Sequence, residues 1–261
     1  MTRLIAGMAF VLAAVAPASA SVILLSGSPV TQDFNSLPSS GTTALSGVLN
    51  QVDALPGSTG FVGGRIGGSG TALNFLGDDG TSTAGRLGSF GASGSGERAL
   101  GAVASGTSIA AFGLEIVNNT GAAITSIQID AFREQWRSST SVMNTLAFAW
   151  AVSGGAATSS NFLSNGSLTP LASLNLVGEA PVASNGATNG NVLRVAITGT
   201  ITANIPNGAS LFVRWQDVND AGNDAALAVD DMTIRPTLVP EPTSLALLAM
   251  GGIALCARRR S

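Results

Sequence analysis

The chain of 261 residues has 12 basic and 15 acidic residues, no histidine, no lysine and a single cysteine. This composition excludes the usual zinc sites, a Ser-His-Asp triad and an internal disulfide. Setting aside Arg3, Glu241 and the three terminal arginines leaves 8 basic and 14 acidic residues, a balance that argues against nucleic acid as a partner. Carboxylate chemistry and the binding of hard cations by oxygen ligands stay open.

Residues 1–20 have the three parts of a signal peptide. A short basic segment ends at Arg3, an apolar run extends from Leu4 to Val15, and an A-x-A cleavage site follows, with Ala18 and Ala20 as its small residues. We therefore expect cleavage after Ala20, an exported domain over residues 21–237, and a separate C-terminal segment over residues 238–261.

The exported domain is predicted to be all-β. Between Ile124 and Phe132, and again between Leu146 and Val152, residue types alternate with a period of two, as in a half-buried strand. Further candidate strands are 71–76, 108–117, 192–198, 211–216 and 226–235. Because no helical periodicity separates them, we expect an antiparallel β-sandwich of the jelly-roll type.

Turns rich in glycine, serine and asparagine separate these candidate strands. The pair Gly63-Gly64 is interpreted as a turn because no helix or nucleotide-binding pattern follows it. A long loop or a weak edge hairpin is expected within residues 154–190.

An acidic stretch between residues 217 and 224 is a candidate calcium site. Calcium takes six to eight oxygen ligands, and oxygen-bearing side chains are dense here; the candidate ligands are Asp217, Asn219, Asp220, Asp224 and Asp231. The stretch is not an EF-hand, because Ala221 stands where a ligand is needed. The alternative is a polar turn whose side chains bind their own backbone.

Two further clusters are candidates for glycan binding, formed by Trp136 with Arg137 and by Arg214 beside Trp215. Tryptophan stacks on sugar rings and arginine binds hydroxyl groups. In the structural alternative both tryptophans are core residues and Glu134 pairs with Arg137 or Arg214, and the period of two, which groups Trp215 with Leu211 and Val213, favours it. A glycosidase would need two carboxylates across a groove, drawn from Glu97, Glu115, Glu134 and Glu179. Four scattered glutamates do not favour this, and no catalytic residue is predicted.

The C-terminal segment combines Val239-Pro-Glu-Pro242, an apolar run from Leu245 to Ala257, and Arg258, Arg259 and Arg260. The apolar run has about 13 residues, or roughly 20 Å as a helix, against a hydrocarbon core of about 30 Å. The three arginines are expected to stay on the cytoplasmic side of the membrane. Such a short span suggests a processing signal rather than a permanent anchor.

This segment resembles the PEP-CTERM sorting signal of Gram-negative bacteria, also catalogued as the ice-binding protein C-terminal domain. The resemblance implies that an exosortase, a membrane protease-transpeptidase, recognises Pro240, Glu241 and Pro242 and cuts nearby. It also implies a short transmembrane helix and an exported, surface-directed protein of the extracellular matrix or biofilm.

Several phrases of the exported domain resemble secreted bacterial domains that precede such signals. They are Gln32–Gly41, Glu97–Gly101, Asn118–Gly121, Glu134–Arg137, Arg214–Asp220 and Ala226–Asp231. That group has no settled activity, so the resemblance implies an exported β-sandwich. We expect a non-enzymatic protein associated with exopolysaccharide. The alternatives are a module that binds foreign polysaccharide, which requires exposed aromatic residues, and a glycosidase.

Overall fold

The computed structural model describes residues 21–24, 27–153 and 161–239. The predicted signal peptide and the segment from Pro240 onward lie outside the described residues. The described residues contain one 3-10 turn, Ala172–Leu174, and the following strands: β1 (Ser21–Leu24), β2 (Val30–Gln32), β3 (Thr42–Leu45), β4 (Asp53–Ala54), β5 (Phe61–Gly67), β6 (Leu73–Asp78), β7 (Arg86–Phe90), β8 (Ala99–Val103), β9 (Ile109–Asn118), β10 (Ile124–Arg137), β11 (Thr145–Val152), β12 (Thr169–Pro170), β13 (Leu176–Val177), β14 (Arg194–Ile205), β15 (Ser210–Gln216) and β16 (Ala226–Leu238).

These strands form two sheets, which confirms the predicted all-β sandwich. The first sheet has the order β12-β11-β15-β9-β5-β4, with β1 beside β9 and β13 beside β11. The second sheet has the order β14-β10-β16-β8-β7-β6-β3, with β2 beside β16. Most pairs are antiparallel, but β1–β9 and β6–β7 are parallel. Strand β16 is central in the second sheet and pairs with β10 along almost its whole length.

The core lies between the sheets and follows the alternation seen in the sequence. On β10, Ile127 and Ile129 are fully buried against the facing sheet, and Trp215 of β15 is fully buried among aromatic rings. The ring centres of Phe148 and Phe112 lie 5.0 and 5.6 Å from that of Trp215. Large apolar side chains buried in this way supply most of the stability of such a sandwich.

The expectation of a turn at Gly63-Gly64 is wrong, because both residues lie inside β5. A side chain at Gly63 would collide with Leu87 of the opposite sheet, and one at Gly64 with the backbone oxygen of Gln51. Glycine is therefore required at both positions because a side chain would collide with neighbouring atoms, and not because the backbone has a positive φ. The same absence of side chains removed the alternation that would have predicted the strand.

Six arginine side chains are buried inside the sandwich: Arg65, Arg86, Arg98, Arg133, Arg137 and Arg214. Their donors are directed largely at backbone oxygens of loops. Arg98, for example, donates from Nη2 to the backbone oxygen of Asp78 at 3.0 Å and from Nε to the Ser89 hydroxyl at 2.8 Å. Arg86 is ion-paired with Asp78, and burial lowers the Arg86 pKa to about 10. A planar guanidinium with five donors can bind several backbone oxygens at once and so hold loops against the sheets.

Among the residues described, no helix has the length and apolar character needed to cross a membrane. The helix predicted for residues 245–257 lies outside the described part of the chain.

Candidate functional site

A group of three carboxylates, the acidic row, lies on the face of the second sheet that points away from the core. The acidic row consists of Glu97, two residues before the start of β8, Glu134 of β10 and Asp230 of β16. In the register of the sheet, Glu134 is directly opposite Arg194 of β14. On its other side β10 pairs with β16, where Asp230 is opposite Phe132, so Glu134 and Asp230 are diagonal neighbours two residues apart in register.

A bulge in β16 places Asp230 in this row. Strand β8 pairs with Leu227–Val229 and strand β2 with Met232–Ile234, so that β16 changes its neighbour at Asp230 and Asp231. Asp231 has a positive φ of 45°, and the pairing with β10 shifts register at this point. An extra residue at a bulge moves the following side chains to the other face. As a result Val229 and Met232 both remain in the core while Asp230 and Asp231 lie outside it.

Each carboxylate of the acidic row has one oxygen held by a protein donor and a second without a hydrogen-bond partner. The held oxygens are Glu134 Oε2, Asp230 Oδ2 and Glu97 Oε2. Their donors, in the same order, are Trp136 Nε1 at 2.9 Å, Arg194 Nη2 at 3.3 Å and Asn191 Nδ2 at 2.9 Å. The oxygens without a partner are Glu134 Oε1, Asp230 Oδ1 and Glu97 Oε1, all inaccessible to solvent.

Burial and mutual repulsion make the charged state of the acidic row costly. Glu134 is 0% exposed and Asp230 2%. Burial is the main cause that raises the pKa of Glu134. It also raises the pKa of Asp230 to about 8, and the nearby charges of Asp231, Glu134 and Glu97 contribute. Unpaired buried charges demand a proton, a cation or a salt bridge.

One oxygen from each of the three residues lies within 4.8 Å of one from each of the others, so the acidic row can hold a metal ion. Within the described part of the chain, this is the one group of at least three Asp or Glu residues that meets that spacing.

The predicted calcium stretch, hereafter the aspartate loop (residues 217–224), has a different organisation. Buried Asn144 donates to Asp220 Oδ2 at 2.6 Å and to Asp224 Oδ1 at 3.3 Å, and accepts from the Ala225 amide. The Asp217 side chain is buried, with Oδ1 bound to the Val218 amide and Oδ2 without a partner. Burial raises the Asp217 pKa well above its usual range and the Asp224 pKa to about 6.

The five predicted calcium ligands do not form one group. Asp231 lies on β16 and is ion-paired with Arg194, and Asn219 is exposed at the tip of the aspartate loop. Among the described residues, Asp217, Asp220 and Asp224 do not bring three carboxylate oxygens within 4.8 Å of one another. The hydrogen bonds of Asn144 favour the alternative of a polar turn.

The residues predicted to bind glycan are buried and lie on different sheets. Trp136 is 2% exposed and packs against Gly190 of a covering loop, while Arg137 donates to the Gly80 and Thr81 oxygens at 2.9 and 3.0 Å. Arg214 donates to the backbone oxygens of Phe162 and Leu163. The Trp136 indole and the Nη1 atoms of both arginines are bonded within the protein, which favours the structural alternative, while Nε of each arginine is buried without a partner.

Of the four glutamates considered for glycoside hydrolysis, the structure brings Glu97 and Glu134 together. Glu115 instead accepts from the Ser210 hydroxyl, and Glu179 pairs with Arg133 at 2.7 Å. The covering loop that contains Asn191 closes over Glu97 and Trp136. Because Glu134 is fully buried, a sugar ring has no access to this pair.

Comparison with known proteins identifies the C-terminal segment. Residues 238–260 match the family described as the PEP-CTERM protein-sorting motif. This chain carries a PEP-CTERM sorting motif. No curated protein matches the chain in sequence. The PEP-CTERM motif begins at Leu238, the last residue of β16, so the sorting segment continues directly from the central strand of the second sheet.

Solved structures with a similar fold are distant. The CBM22-1 xylan-binding domain of Paenibacillus barcinonensis Xyn10C is 13% identical, covers 83% of this chain and 99% of that chain, and has a TM-score of 0.35. The K3 cleaved adhesin domain of Lys-gingipain from Porphyromonas gingivalis is 14% identical, with coverages of 79% and 98% and a TM-score of 0.37. The ligand named for the xylan-binding domain is a property of that domain.

The acidic row was missed by the sequence analysis because its members are far apart in the chain. Two of them stand in segments that are otherwise buried: Asp230 follows Ala-Leu-Ala-Val, and Glu134 lies between Phe132 and Trp136. A lone acidic residue in such a strand is the signal that was available, since a carboxylate is rarely buried without a partner.

Proposed function

We propose that this PEP-CTERM protein is exported, processed by an exosortase-type protease near Pro240–Pro242, and serves without catalysis in an exopolysaccharide or biofilm matrix at the cell surface. The observation that carries the proposal is the sorting motif at residues 238–260, placed directly after a folded β-sandwich. This arrangement suits a domain that folds outside the cell and is then released from, or transferred by, its tail.

A passive role is supported by the state of the reactive groups. The chain has no histidine, and the pair Glu97 and Glu134 is closed to substrates by burial and by the loop that carries Asn191. Catalysis by general acid and base requires that such groups reach the substrate. The proposal therefore assigns no reaction to the acidic row.

The charge of the surface indicates which polysaccharide is suitable. In the described part of the chain the arginines that are not buried are Arg194 and Arg235, and both are paired, with Asp231 and with Asp130. Direct binding of an anionic polymer needs free cations. The surface therefore favours a polysaccharide that binds through hydroxyl groups.

A groove beside the covering loop suits such hydroxyl groups. Its volume is about 380 Å³, and the surface that lines it is mostly apolar, with Ala180, Val182 and Leu193, beside polar groups of Ser138, Glu179 and Ser184. Side-chain hydroxyl, amide and carboxylate groups are the usual partners of small polar ligands in such concavities. We assign glycan contact to this groove and not to the buried tryptophans.

The sorting step is tested in a host that contains an exosortase, with an epitope tag in the exported domain. Replacing Pro240, Glu241 and Pro242 by alanine is expected to leave the full-length chain in the membrane fraction, as deletion of the exosortase does for the unaltered chain. Equal processing of the altered and unaltered chains would contradict the proposal.

Glycan contact is tested by retention of the processed protein on the host's own exopolysaccharide. Ser184→Trp fills the groove and is expected to abolish retention, whereas Thr200→Trp, at an exposed position of β14 that does not line the groove, is expected to leave it intact. Retention of both variants would exclude the groove, and no retention of the unaltered protein would exclude polysaccharide association.

A further inference from the structure

We propose that Glu97, Glu134 and Asp230 bind a calcium ion that ties β10, β16 and the start of β8 together on the outer face of the second sheet. The proposal is independent of the sorting function. The proposed site is distinct from the aspartate loop, where the sequence predicts candidate calcium ligands.

The two oxygens of each carboxylate in the acidic row differ in their hydrogen bonding. Trp136, Arg194 and Asn191 orient one oxygen of each residue, and the second oxygen of each is buried without any donor. A buried acceptor left without a partner costs free energy comparable to a lost hydrogen bond, more for a charged group. Three such acceptors in one place call for a shared positive partner.

The acidic row also has a deficit of positive charge. Three carboxylates of the acidic row and the neighbouring Asp231 face Arg194, whose Nε lies 3.6 Å from Glu134 Oε1 and is not hydrogen-bonded to it. Arg194 is engaged with Asp231 and Asp230 and also lies over the Phe132 ring at 3.8 Å. One guanidinium does not neutralise four carboxylates, so a divalent cation or bound protons must supply the rest.

The ligands and their spacing select calcium among the divalent cations. The donors are all oxygens, which suits hard cations. Calcium takes six to eight oxygens at about 2.3–2.6 Å in a flexible geometry, and one oxygen from each carboxylate of the acidic row lies within 4.8 Å of one from each of the others, close enough to share such an ion. Magnesium demands about 2.1 Å and a near-ideal octahedron, which three carboxylates fixed by separate strands satisfy less well.

The site lies where β16 changes from one neighbouring strand to another. Strand β16 loses β8 as its neighbour after Val229 and gains β2 at Met232, and Glu97 stands just before β8. An ion bound to Glu97 and Asp230 would link β16 to the segment before β8 at the point where neither β8 nor β2 pairs with β16. Its removal is therefore expected to lower stability while the sandwich core remains assembled.

The experiment uses the full-length chain in detergent micelles, stripped with EGTA and then titrated with calcium up to about 10 mM, since extracellular calcium modules bind at about 10⁻⁴–10⁻³ M. Calcium is expected to raise the unfolding temperature of the unaltered protein, and magnesium to raise it less. Terbium is expected to show emission sensitised by Trp136, whose indole is bound to Glu134, and calcium should displace it.

The decisive variants are Glu134→Gln and Asp230→Asn, which keep the shape of the side chain and remove one charge. Each is expected to weaken calcium binding on the order of 100-fold, yet to be at least as stable as the unaltered protein in EGTA, because like charges no longer repel. This opposite response in EGTA and calcium separates loss of an ion from simple misfolding. Asp220→Asn in the aspartate loop is the matched control and should keep the full calcium response.

Three results would overturn the proposal. If calcium does not stabilise the unaltered protein, protons and Arg194 neutralise the acidic row. If Asp220→Asn abolishes the response while Asp230→Asn keeps it, the ion binds in the aspartate loop. If both decisive variants are destabilised equally in EGTA and in calcium, the carboxylates serve as hydrogen-bond acceptors only.

Discussion

The aspartate loop and the acidic row are both rich in carboxylates, but they satisfy them differently. In the aspartate loop, Asn144 supplies donors to Asp220 and Asp224 from within the fold, and a single buried oxygen among the described residues of the loop, Asp217 Oδ2, lacks a donor. In the acidic row, three oxygens are buried without a donor. The density of acidic residues along the chain is therefore a poor guide to where a cation is needed, and unsatisfied oxygens in space are a better one.

The first way to break this comparison is to remove the internal donor of the aspartate loop. Asn144→Ala leaves the Ala225 amide and Asp220 Oδ2 without this partner, while Asp224 Oδ1 keeps the bond from the Asp220 amide, and is expected to lower the free energy of unfolding by about 2–4 kcal/mol. Urea unfolding with and without calcium measures this. Asn219→Ala, at an exposed position, is the control and should change stability by less than about 0.5 kcal/mol. Rescue of Asn144→Ala by calcium would show that the loop is a cation site after all.

Both regions make stability depend on pH, because each contains buried carboxyls whose pKa is raised, Asp217 and Asp224 in the aspartate loop and Glu134 and Asp230 in the acidic row. A carboxyl whose pKa is raised on folding keeps its proton longer in the folded state, so stability falls as pH rises from the unfolded pKa towards the folded one. For Asp224 this window ends at about 6. For Asp230, which faces Glu97, Glu134, Asp231 and Arg194, it ends at about 8.

The pKa of Asp230 is about 4 in the unfolded chain and about 8 in the folded protein. In EGTA we therefore expect the free energy of unfolding to fall by on the order of 2 kcal/mol as the pH rises between these two values. Asp230→Asn should remove the Asp230 part of this decline and leave the part that comes from Asp217, Asp224 and Glu134, whose pKa values burial also raises. Denaturant unfolding across this pH range measures both parts. A decline that is unaffected by Asp230→Asn would locate the titrating group elsewhere.

A smaller effect isolates the repulsion within the acidic row. At high pH in EGTA, Asp230→Asn is expected to raise the free energy of unfolding on the order of 1 kcal/mol, because the amide does not repel Glu134 and Glu97. In saturating calcium the same substitution should lower stability. The sign of the difference, measured by thermal unfolding in the two buffers, is the test, and a loss in both buffers would contradict it.

The smallest expected effect is at Asp231. Asp231→Gly relieves a positive φ of 45° and at the same time removes an exposed partner of Arg194. These two contributions are similar and opposite, so stability should change by less than about 0.5 kcal/mol. The calcium response should persist, because Asp231 is outside the acidic row. Its loss would add Asp231 to the ligands.

The sequence predicted the fold where side chains alternate and failed where side chains are missing. Ile124–Phe132 and Leu146–Val152 lie within β10 and β11 as expected. Strand β5 was missed because Gly63 and Gly64 carry no side chain to alternate. The sorting motif was recognisable because its residues are contiguous. The acidic row depends on the order of the three strands β10, β16 and β8 and on a bulge at Asp231, and neither is encoded locally.

The continuity of β16 with the sorting motif has a mechanical consequence. Any force on the C-terminal tail acts along β16, which is held by β10 on one side from Ile124 to Arg137 and by β8 and β2 on the other. A pull along the axis of β16 loads hydrogen bonds on both of its sides, whereas an edge strand pulled in the same direction is held on one side only. The strand that continues into the sorting motif is therefore laterally bonded on both sides.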